Sequence, residues 1–238
     1  MCTVTYFPQP DGFVLTHNRD EAPLRSQPGL ERARAGGHKI LLPRDAKAGG
    51  SWIAASDQGD VVCLLNGAFV KHRHEPPYRR SRGLMLLDFF DYPNADAFFR
   101  QYECDDMEPF TFLFFNRKRV VQWRWDGQQK HLLELNPGAA HFWCSATLYP
   151  PDMQQIREQV FRDALPKLKR TVPRLQASAL LKLHQSGSVG DPENDYIMNR
   201  GGRVCTVSIT QVRYSGQSAT MRYLSLPERN LSARSIVF

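Results

Sequence analysis

Residues 2–21 read CTVTYFPQPDGFVLTHNRDE, and this stretch decides the fold at the start of the chain. Two β-type runs, Cys2–Phe7 and Gly12–His17, flank the turn sequence QPDG, a pattern that is typical of a β-hairpin. In an antiparallel hairpin the second strand ends beside the start of the first. The polar residues Asn18–Asp20, which follow the second run, are therefore expected to lie next to Cys2.

The remaining sequence alternates between β-type and helix-type blocks. Strands are predicted at Lys39–Leu42, Ser51–Ser56, Asp60–Asn66, Phe110–Phe115, Val120–Trp125, Lys130–Leu135, Val204–Tyr214 and Thr220–Leu226. Helices are predicted in two pairs, Arg82–Tyr92 with Ala95–Tyr102 and Asp152–Ala164 with Leu175–His184. Because tight turns join most strands, the sheets should be largely antiparallel with helices on their outer faces. We predict a layered α+β sandwich that forms a single domain over residues 1–238.

The charge and hydropathy patterns exclude several classes of protein. The 238 residues include 31 Lys and Arg against 24 Asp and Glu, a net charge of +7. No zinc-finger spacing, RNP signature or long basic run accompanies this excess. The longest apolar run, Phe110–Phe115, is far shorter than a membrane span, and the first twenty residues lack the pattern of a signal peptide. We expect a soluble cytoplasmic protein whose partner is a small molecule and not a nucleic acid.

The cysteine pattern predicts free thiols. Five cysteines are present, their spacing is wide, and no CxxC occurs, which argues against a secreted disulfide framework and a structural zinc site. Cys63 and Cys205 lie in apolar runs and are predicted to be core residues. Cys2 is different, because removal of Met1 would make it the first residue of the chain.

An N-terminal cysteine carries a thiol and a free α-amine on one residue. The amine has an unperturbed pKa of about 7.7–8.0, so it can accept the thiol proton near neutral pH. Nucleophile and base then belong to the same residue. The neighbouring Asn18–Asp20 could hold the amine and stabilise an oxyanion. A capped turn with a surface Arg–Glu pair is the alternative interpretation of this segment.

These residues also carry a resemblance. Cys2 after Met1, followed by Asn18-Arg19-Asp20-Glu21, resembles the NRDE family, which is also called the transport and Golgi organisation protein 2 family. Gly49-Gly50-Ser51-Trp52-Ile53 matches the GG(S/T)W motif of that family. Gly202-Arg203, which leads into Thr206–Ile209, resembles its Arg-containing strand near the C-terminus. These motifs span most of the chain, although residues from about 70 to 200 carry little that is specific.

The family in turn is similar to N-terminal nucleophile hydrolases of the cysteine amidase type, which implies a four-layer αββα sandwich. The resemblance implies that Cys2 is the nucleophile and that Asp20 contacts its amine. Asn66 stands where the amidases have an Asn at the oxyanion site. Arg203 is the counterpart of a late arginine near the nucleophile. The implied activity is hydrolysis of a non-peptide amide or acyl (thio)ester bond.

Asn18 and Arg19 are predicted to contact the substrate. Two positions depart from the amidase pattern. The residue before the Asn-x-Asp pattern is His17, where the amidases have Arg, and Ser145-Ala146-Thr147 stands where they have an Asn. One oxyanion donor is therefore missing or replaced, and such a donor is typically worth about 10²–10³ in rate.

A non-catalytic binding protein on the same fold is the alternative function. Members of the NRDE family have been associated with haem handling and with lipid or acyl-thioester homeostasis, so haem or an acyl compound is the implied ligand. His141 and Cys144 are candidate axial ligands. His72-Arg73-His74 could place two imidazoles on a metal, but no third ligand stands at a recognisable spacing, and we interpret the segment as a solvated loop. No cofactor and no metal are predicted.

Overall fold

The computed structural model describes residues 2–25 and 29–238. Within these ranges the chain forms fourteen β-strands, four α-helices and two short 3₁₀ helices. Met1, on whose removal the nucleophile hypothesis depends, lies outside the described residues, as do residues 26–28. None of the helices in the described ranges is long and apolar enough to cross a lipid bilayer.

The strands are, in chain order, β1 (Cys2–Gln9), β2 (Gly12–Glu21), β3 (Glu31–Ala35), β4 (His38–Leu42), β5 (Ile53–Ser56), β6 (Val61–Asn66), β7 (Phe110–Phe115), β8 (Val120–Trp125), β9 (Lys130–Leu135), β10 (His141–Cys144), β11 (Asn199–Arg200), β12 (Val204–Ser215), β13 (Ser218–Ser225) and β14 (Asn230–Val237). The helices are α1 (Arg82–Asp88), α2 (Ala95–Gln101), α3 (Pro151–Arg170) and α4 (Pro173–Ser186).

The described strands form two antiparallel sheets. The first sheet has the order β10-β1-β2-β12-β13-β14, with β11 paired to β12, and the second is a meander from β3 to β9. The predicted N-terminal hairpin is present as β1 and β2. Its turn requires glycine at position 12, since Gly12 has φ +155° and a Cβ there would lie 2.2 Å from the carbonyl oxygen of Tyr214.

The sheets and helices stack as four layers. Between the sheets, Leu15 of β2 and Leu113 of β7 belong to one buried cluster. On the outer face of the second sheet, α1 and α2 cover aromatic side chains, and the Phe98 and Phe112 rings lie 5.2 Å apart. On the outer face of the first sheet, α3 and α4 cover Val14. The predicted αββα sandwich is therefore confirmed.

The helices lie where the sequence predicted them, but their observed lengths differ from the predicted ones. The predicted helix Arg82–Tyr92 is α1 followed by a 3₁₀ turn at Phe89–Asp91. The predicted helix Asp152–Ala164 lies inside α3, which continues past Pro166 to Arg170.

Four strands escaped the sequence analysis, and one of them, β11, has only two residues. β3 and β14 lie at sheet edges, and most of their side chains are exposed or half-buried, so they lack the alternation of apolar residues that marks a buried strand. β10 has only four residues. The prediction that Cys205 is a core residue is wrong, because it lies at the start of β12 and its half-exposed thiol donates to Asn199 Oδ1 at 3.2 Å. Cys63 is fully buried, as predicted.

Candidate active site

Cys2 is the first residue of β1, between β10 and β2. Its Cα pairs with that of Arg19 on β2, and its carbonyl oxygen accepts a hydrogen bond of 2.9 Å from the Ser145 N–H that follows β10. These contacts on both sides fix the start of the strand. The predicted proximity of Cys2 to Asn18–Asp20 is confirmed.

The polar segment at the end of β2 is part of the strand and serves both faces of the sheet. Side chains alternate along a strand, so Arg19 and Glu21 line a cavity together with Cys2, whereas Asn18 and Asp20 face the α3–α4 layer. Asn18, Arg19 and Asp20 are each no more than 4% exposed. The alternative interpretation, a capped surface turn, is therefore wrong.

The cavity beside Cys2 has a volume of about 400 Å³. It lies where the ends of β1, β2 and β6 meet the segment before β5 and the start of α1. Its charged lining residues are Arg19, Glu21, Arg25, Asp45, Arg80, Arg82 and Glu108. A site of this composition binds polar groups through ion pairs and hydrogen bonds.

Arg19 organises one wall of this cavity. Its Nη2 donates to Asp45 Oδ2 at 2.7 Å, and its Nη1 donates to the carbonyl oxygen of Arg25 at 2.6 Å. The flat face of the guanidinium covers Trp52, with Cζ 4.2 Å from the ring centroid. Burial lowers the pKa of Arg19, while the Glu21 and Asp45 carboxylates oppose this shift. Arg19 thus places a positive charge opposite Cys2 and is itself held rigidly.

Asp20 is buried on the opposite face, beneath the start of β1. The Tyr149 hydroxyl donates to its Oδ2 at 3.0 Å, and the Thr206 hydroxyl donates to its Oδ1 at 2.8 Å. Burial raises the pKa of the Asp20 carboxyl, whereas the Arg157 charge and the two hydrogen bonds favour its ionised form. Both oxygens are therefore oriented by fixed donors.

Arg157 of α3 supplies a fully buried positive charge to this face. Its guanidinium donates to Thr3 Oγ1, and to the carbonyl oxygen of Asp195 at 2.9 Å. It lies over the Tyr149 and Tyr196 rings, with Cζ 4.0 and 5.0 Å from their centroids. No carboxylate in the described part of the chain lies within ion-pair distance of Arg157. Sequence reasoning missed it, because an arginine in an amphipathic helix gives no signal of burial.

Asn18 is a structural residue and does not line the cavity. Its Nδ2 donates to the carbonyl oxygens of Tyr196 at 2.7 Å and His184 at 3.0 Å. Its Oδ1 lies 2.7 Å from His184 Nδ1, and since an amide oxygen only accepts, this ring nitrogen carries the proton. His184 Nε2 then accepts from the Thr5 hydroxyl at 2.8 Å. The structure thus places Asn18 away from the position where we predicted a substrate contact.

The environment of the Cys2 thiol favours its protonated form. It is 2% exposed, and burial raises its pKa; the Asp20 charge acts in the same direction, while Arg19 opposes it. A thiolate is the reactive form of cysteine. Cys2 therefore needs a base before it can act as a nucleophile.

Arg82 and Glu108 form the wall of the cavity that sequence reasoning missed. Arg82, at the start of α1, forms an ion pair of 2.7 Å with Glu108 Oε2. His72 Nε2 and His74 Nδ1 lie 3.0 and 3.2 Å from Glu108 Oε1. The two histidines thus converge on a carboxylate far away in sequence, which the solvated-loop interpretation did not anticipate. The described residues include no cluster of three or more His, Cys, Asp or Glu side chains that could hold a metal ion.

Comparison with known proteins places this geometry in a family. The family model of Transport and Golgi organisation 2 matches residues 1–220. The chain belongs to this family. No curated protein shows significant sequence similarity to the chain.

Solved structures show the same fold at low sequence identity. A mutant of the conjugated bile acid hydrolase from Clostridium perfringens is 10% identical and has a TM-score of 0.63, over 100% of this chain and 96% of that one. The Caenorhabditis elegans ortholog of N-acylethanolamine-hydrolyzing acid amidase is 12% identical and has a TM-score of 0.56, over 88% and 92% of the two chains. At such identities the likeness establishes the N-terminal nucleophile hydrolase fold and no shared activity.

Two motifs of the Transport and Golgi organisation 2 family meet at the cavity. Trp52 of the GGSW segment packs beneath Arg19 of the NRDE segment. Gly50 lies against the start of α1, where an added Cβ would be 2.3 Å from the Gly83 carbonyl carbon. The Ser51 N–H donates to the Gly83 carbonyl oxygen at 3.0 Å. The GGSW segment therefore attaches α1, with Arg82, to the wall of the cavity.

Of the remaining site positions implied by the resemblance to the amidases, Asn66 lies at the cavity and Arg203 does not. Asn66, at the end of β6, lines the cavity, and its carbonyl oxygen accepts a hydrogen bond of 2.6 Å from the Ser145 hydroxyl. Ser145 also lies 2.9 Å from the Thr147 hydroxyl, so this segment offers hydroxyl groups where the amidases have an amide. Arg203 lies in the exposed turn between β11 and β12 and does not join Cys2 at the cavity. Among the described residues, the buried Arg19 and Arg157 and the half-buried Arg82 are the arginines near Cys2.

Proposed function

We propose that this protein is an N-terminal cysteine hydrolase that cleaves a non-peptide amide or acyl (thio)ester bond. One observation carries the proposal. Cys2 begins a strand at the wall of a charged cavity, with Arg19 beside it on the cavity face and Asp20 on the face beneath. Removal of Met1 would create an α-amine at this point. Nucleophile, base and orienting carboxylate would then occupy adjacent backbone positions.

The reaction would begin with proton transfer from the thiol to the α-amine. Because burial raises the pKa of the Cys2 thiol, a base is needed to remove its proton, and the α-amine would be that base. Asp20 would orient the amine. The sulfur would then attack the substrate carbonyl, and the ammonium would return a proton to the leaving amine, alcohol or thiol as the C–N, C–O or C–S bond breaks. Water, activated by the same amine, would hydrolyse the thioester and release the acid.

Stabilisation of the oxyanion would depend on few donors. The Asn66 side chain is the candidate donor at the cavity, and Arg19 supplies positive charge. The Ser145 hydroxyl is already committed to the Asn66 carbonyl oxygen. We therefore propose a slow hydrolase, because a missing donor is worth about 10²–10³ in rate.

A cytoplasmic location is part of the proposal. All five cysteines are free thiols, and a reducing compartment keeps them so. The nucleophile requires the same condition, since oxidation of Cys2 would abolish it.

The test is acylation by p-nitrophenyl acetate, followed by intact mass measurement and peptide mapping. We expect loss of Met1, release of p-nitrophenol and an acetyl group on Cys2 that hydroxylamine removes. Cys2→Ala should abolish the adduct and the release. The matched control is Cys205→Ala, which removes a more exposed thiol and should change neither. Retention of Met1, or equal labelling of Cys2 and Cys205, would contradict the proposal.

The alternative, a haem- or acyl-ligand-binding protein on the same fold, predicts a different result. Haem titration would then give a saturable absorbance change at micromolar concentration, and Cys2→Ala would leave it nearly unchanged. Absence of saturation would count against the binding function. The two experiments together separate a catalytic from a non-catalytic use of the cavity.

A further inference from the structure

Seven charged side chains are among the described residues that line the cavity beside Cys2. Among the described residues that line it, four arginines oppose three carboxylates, which leaves an excess of one positive charge. In the same described lining, apolar side chains are few, namely Ala48, Trp52 and Leu64, and the Arg19 guanidinium covers Trp52. The cavity therefore offers a ligand ionic contacts as well as apolar ones.

This lining disfavours a long hydrocarbon ligand. An alkyl chain would displace the water that solvates the arginines and carboxylates without replacing its hydrogen bonds, and charged groups are strongly destabilised by such desolvation. The size points the same way. A volume of about 400 Å³ lies in the lower part of the range of about 300–1,000 Å³ for small-molecule sites. The ligand that fits is compact and polar.

Each of the four cavity arginines pairs with a carboxylate, Arg82 with Glu108. Arg19 is held by Asp45, a carbonyl oxygen and Trp52. Arg25 pairs with Glu21 at 2.8 Å and also contacts Asp45. Arg80 pairs with the Asp88 carboxylate through Nε and Nη2. These arginines shape the wall of the cavity.

Arg82 differs from Arg19 in its contacts, since the Arg19 guanidinium lies over Trp52. It differs from Arg80, which has as many donors without a protein acceptor in the described ranges, in being less exposed, since the Arg80 side chain is 39% exposed. Its Nη2 pairs with Glu108, and its Nη1 donates to the Pro109 carbonyl oxygen at 3.0 Å. A guanidinium has five N–H donors, so three remain without a protein acceptor in the described ranges. The side chain is 14% exposed and lines the cavity together with Cys2. The Glu108 charge is also shared, because His72 and His74 contact its other oxygen.

We propose that the cavity selects a compact acyl group that carries its own carboxylate, and that Arg82 binds this carboxylate while Cys2 attacks the carbonyl at the other end. Succinyl and glutaryl amides or thioesters belong to this class. A guanidinium fork matches a carboxylate in geometry and charge. The inference rests on the proposed function, since it specifies the acyl group that Cys2 would accept.

The test uses two alkylating reagents of nearly the same size. Iodoacetate carries a carboxylate and iodoacetamide a neutral amide, and in both cases sulfur displaces iodide as the thiol proton passes to a base. At each cysteine, the alkylation rate with iodoacetate is divided by the rate with iodoacetamide. This ratio at Cys2, divided by the same ratio at Cys205 in the same sample, measures the preference of the cavity for an anion. We expect this normalised ratio to be about ten.

Three variants assign the preference to Arg82. Arg82→Gln should lower the normalised ratio to about one, and Glu108→Gln should raise it, because it removes a negative charge beside Arg82. Local unfolding would not move the two variants in opposite directions. The matched control is Arg213→Gln, at an exposed arginine of β12, which should leave the ratio unchanged.

The outcomes separate this inference from the proposed function. A normalised ratio near one in the unmodified sequence, or a ratio that Arg82→Gln leaves unchanged, would overturn the carboxylate assignment even if Cys2 is a competent nucleophile. Slow alkylation of Cys2 by both reagents would count against the nucleophile. The ratio would still report the charge preference in that case, because it does not depend on the absolute rate.

Discussion

The two faces of β2 carry polar side chains from one short segment, yet they use them differently. On the cavity face, Arg19 forms ion pairs beside a space that is open to a ligand. On the helix face, Asn18 and Asp20 make hydrogen bonds to residues that are far away in sequence, and these bonds occupy their polar atoms. The comparison shows that alternation along a strand lets neighbouring residues serve binding and support separately.

The helix face depends on Arg157 more than the cavity face depends on any single residue. Arg157→Leu would remove the positive charge that favours the ionised form of Asp20 and would leave the carbonyl oxygens of Asn194 and Asp195 without this donor. We expect a loss of about 3–5 kcal/mol in the free energy of unfolding, measured with urea. Arg162→Ala, on the exposed side of the same helix, is the control and should cost less than about 0.5 kcal/mol.

A double-mutant cycle sharpens this prediction. Asp20→Asn removes the charge that Arg157 faces, so the double variant should recover part of the loss, with a coupling of about 1–3 kcal/mol. Strict additivity would mean that Arg157 stabilises the fold through its carbonyl contacts alone.

The helix face should also respond to pH. Burial lowers the pKa of His184 to about 3, so the ring is neutral when folded, whereas its unfolded pKa is about 6.5. The stability it contributes is full above pH 6.5 and is lost as the pH falls towards 3. Between pH 7 and pH 5 this amounts to about 2 kcal/mol in the free energy of unfolding. His184→Gln should remove this part of the pH dependence of the free energy of unfolding, measured with urea at several pH values. An unchanged pH dependence would contradict the assignment to His184.

The smallest expected effect belongs to the cavity face. Arg19→Lys keeps the charge beside Cys2 but loses the planar contact with Trp52 and one arm of the fork. We expect a cost of about 1 kcal/mol, because Arg25 still pairs with Asp45. Urea unfolding measures it, and a cost as large as that of Arg157→Leu would remove the distinction between the two faces.

The sequence was informative where the structure is local. The QPDG turn determines the hairpin and its register, and the register brings Cys2 beside Arg19. The order of strand and helix blocks follows from alternating and helical periodicity, whereas the four-layer αββα arrangement was implied by the family resemblance. The edge strands β3 and β14 were missed, since one-sided burial leaves a weak pattern in five to eight residues.

The missed site residues share one property, which is distance along the chain. Arg82, Glu108 and Arg157 reach the site from helices or loops that the fold brings to the N-terminal hairpin. Nothing in their local sequence distinguishes them from solvated charges. Arg203 shows the converse, because a motif-like position near the C-terminus lies in an exposed turn.

The contact between Gly50 and Gly83 separates two properties of the cavity. A Cβ on Gly50 would meet the backbone of Gly83 and Leu84 at 2.3–2.7 Å, so main chain rests on main chain there. The distance between α1 and the segment before β5 is therefore set by backbone atoms, and substitution of other side chains does not change it. Substitutions at Arg82 or Glu108 would change the charge that the cavity presents, while the backbone contact that holds α1 against the segment before β5 stays the same.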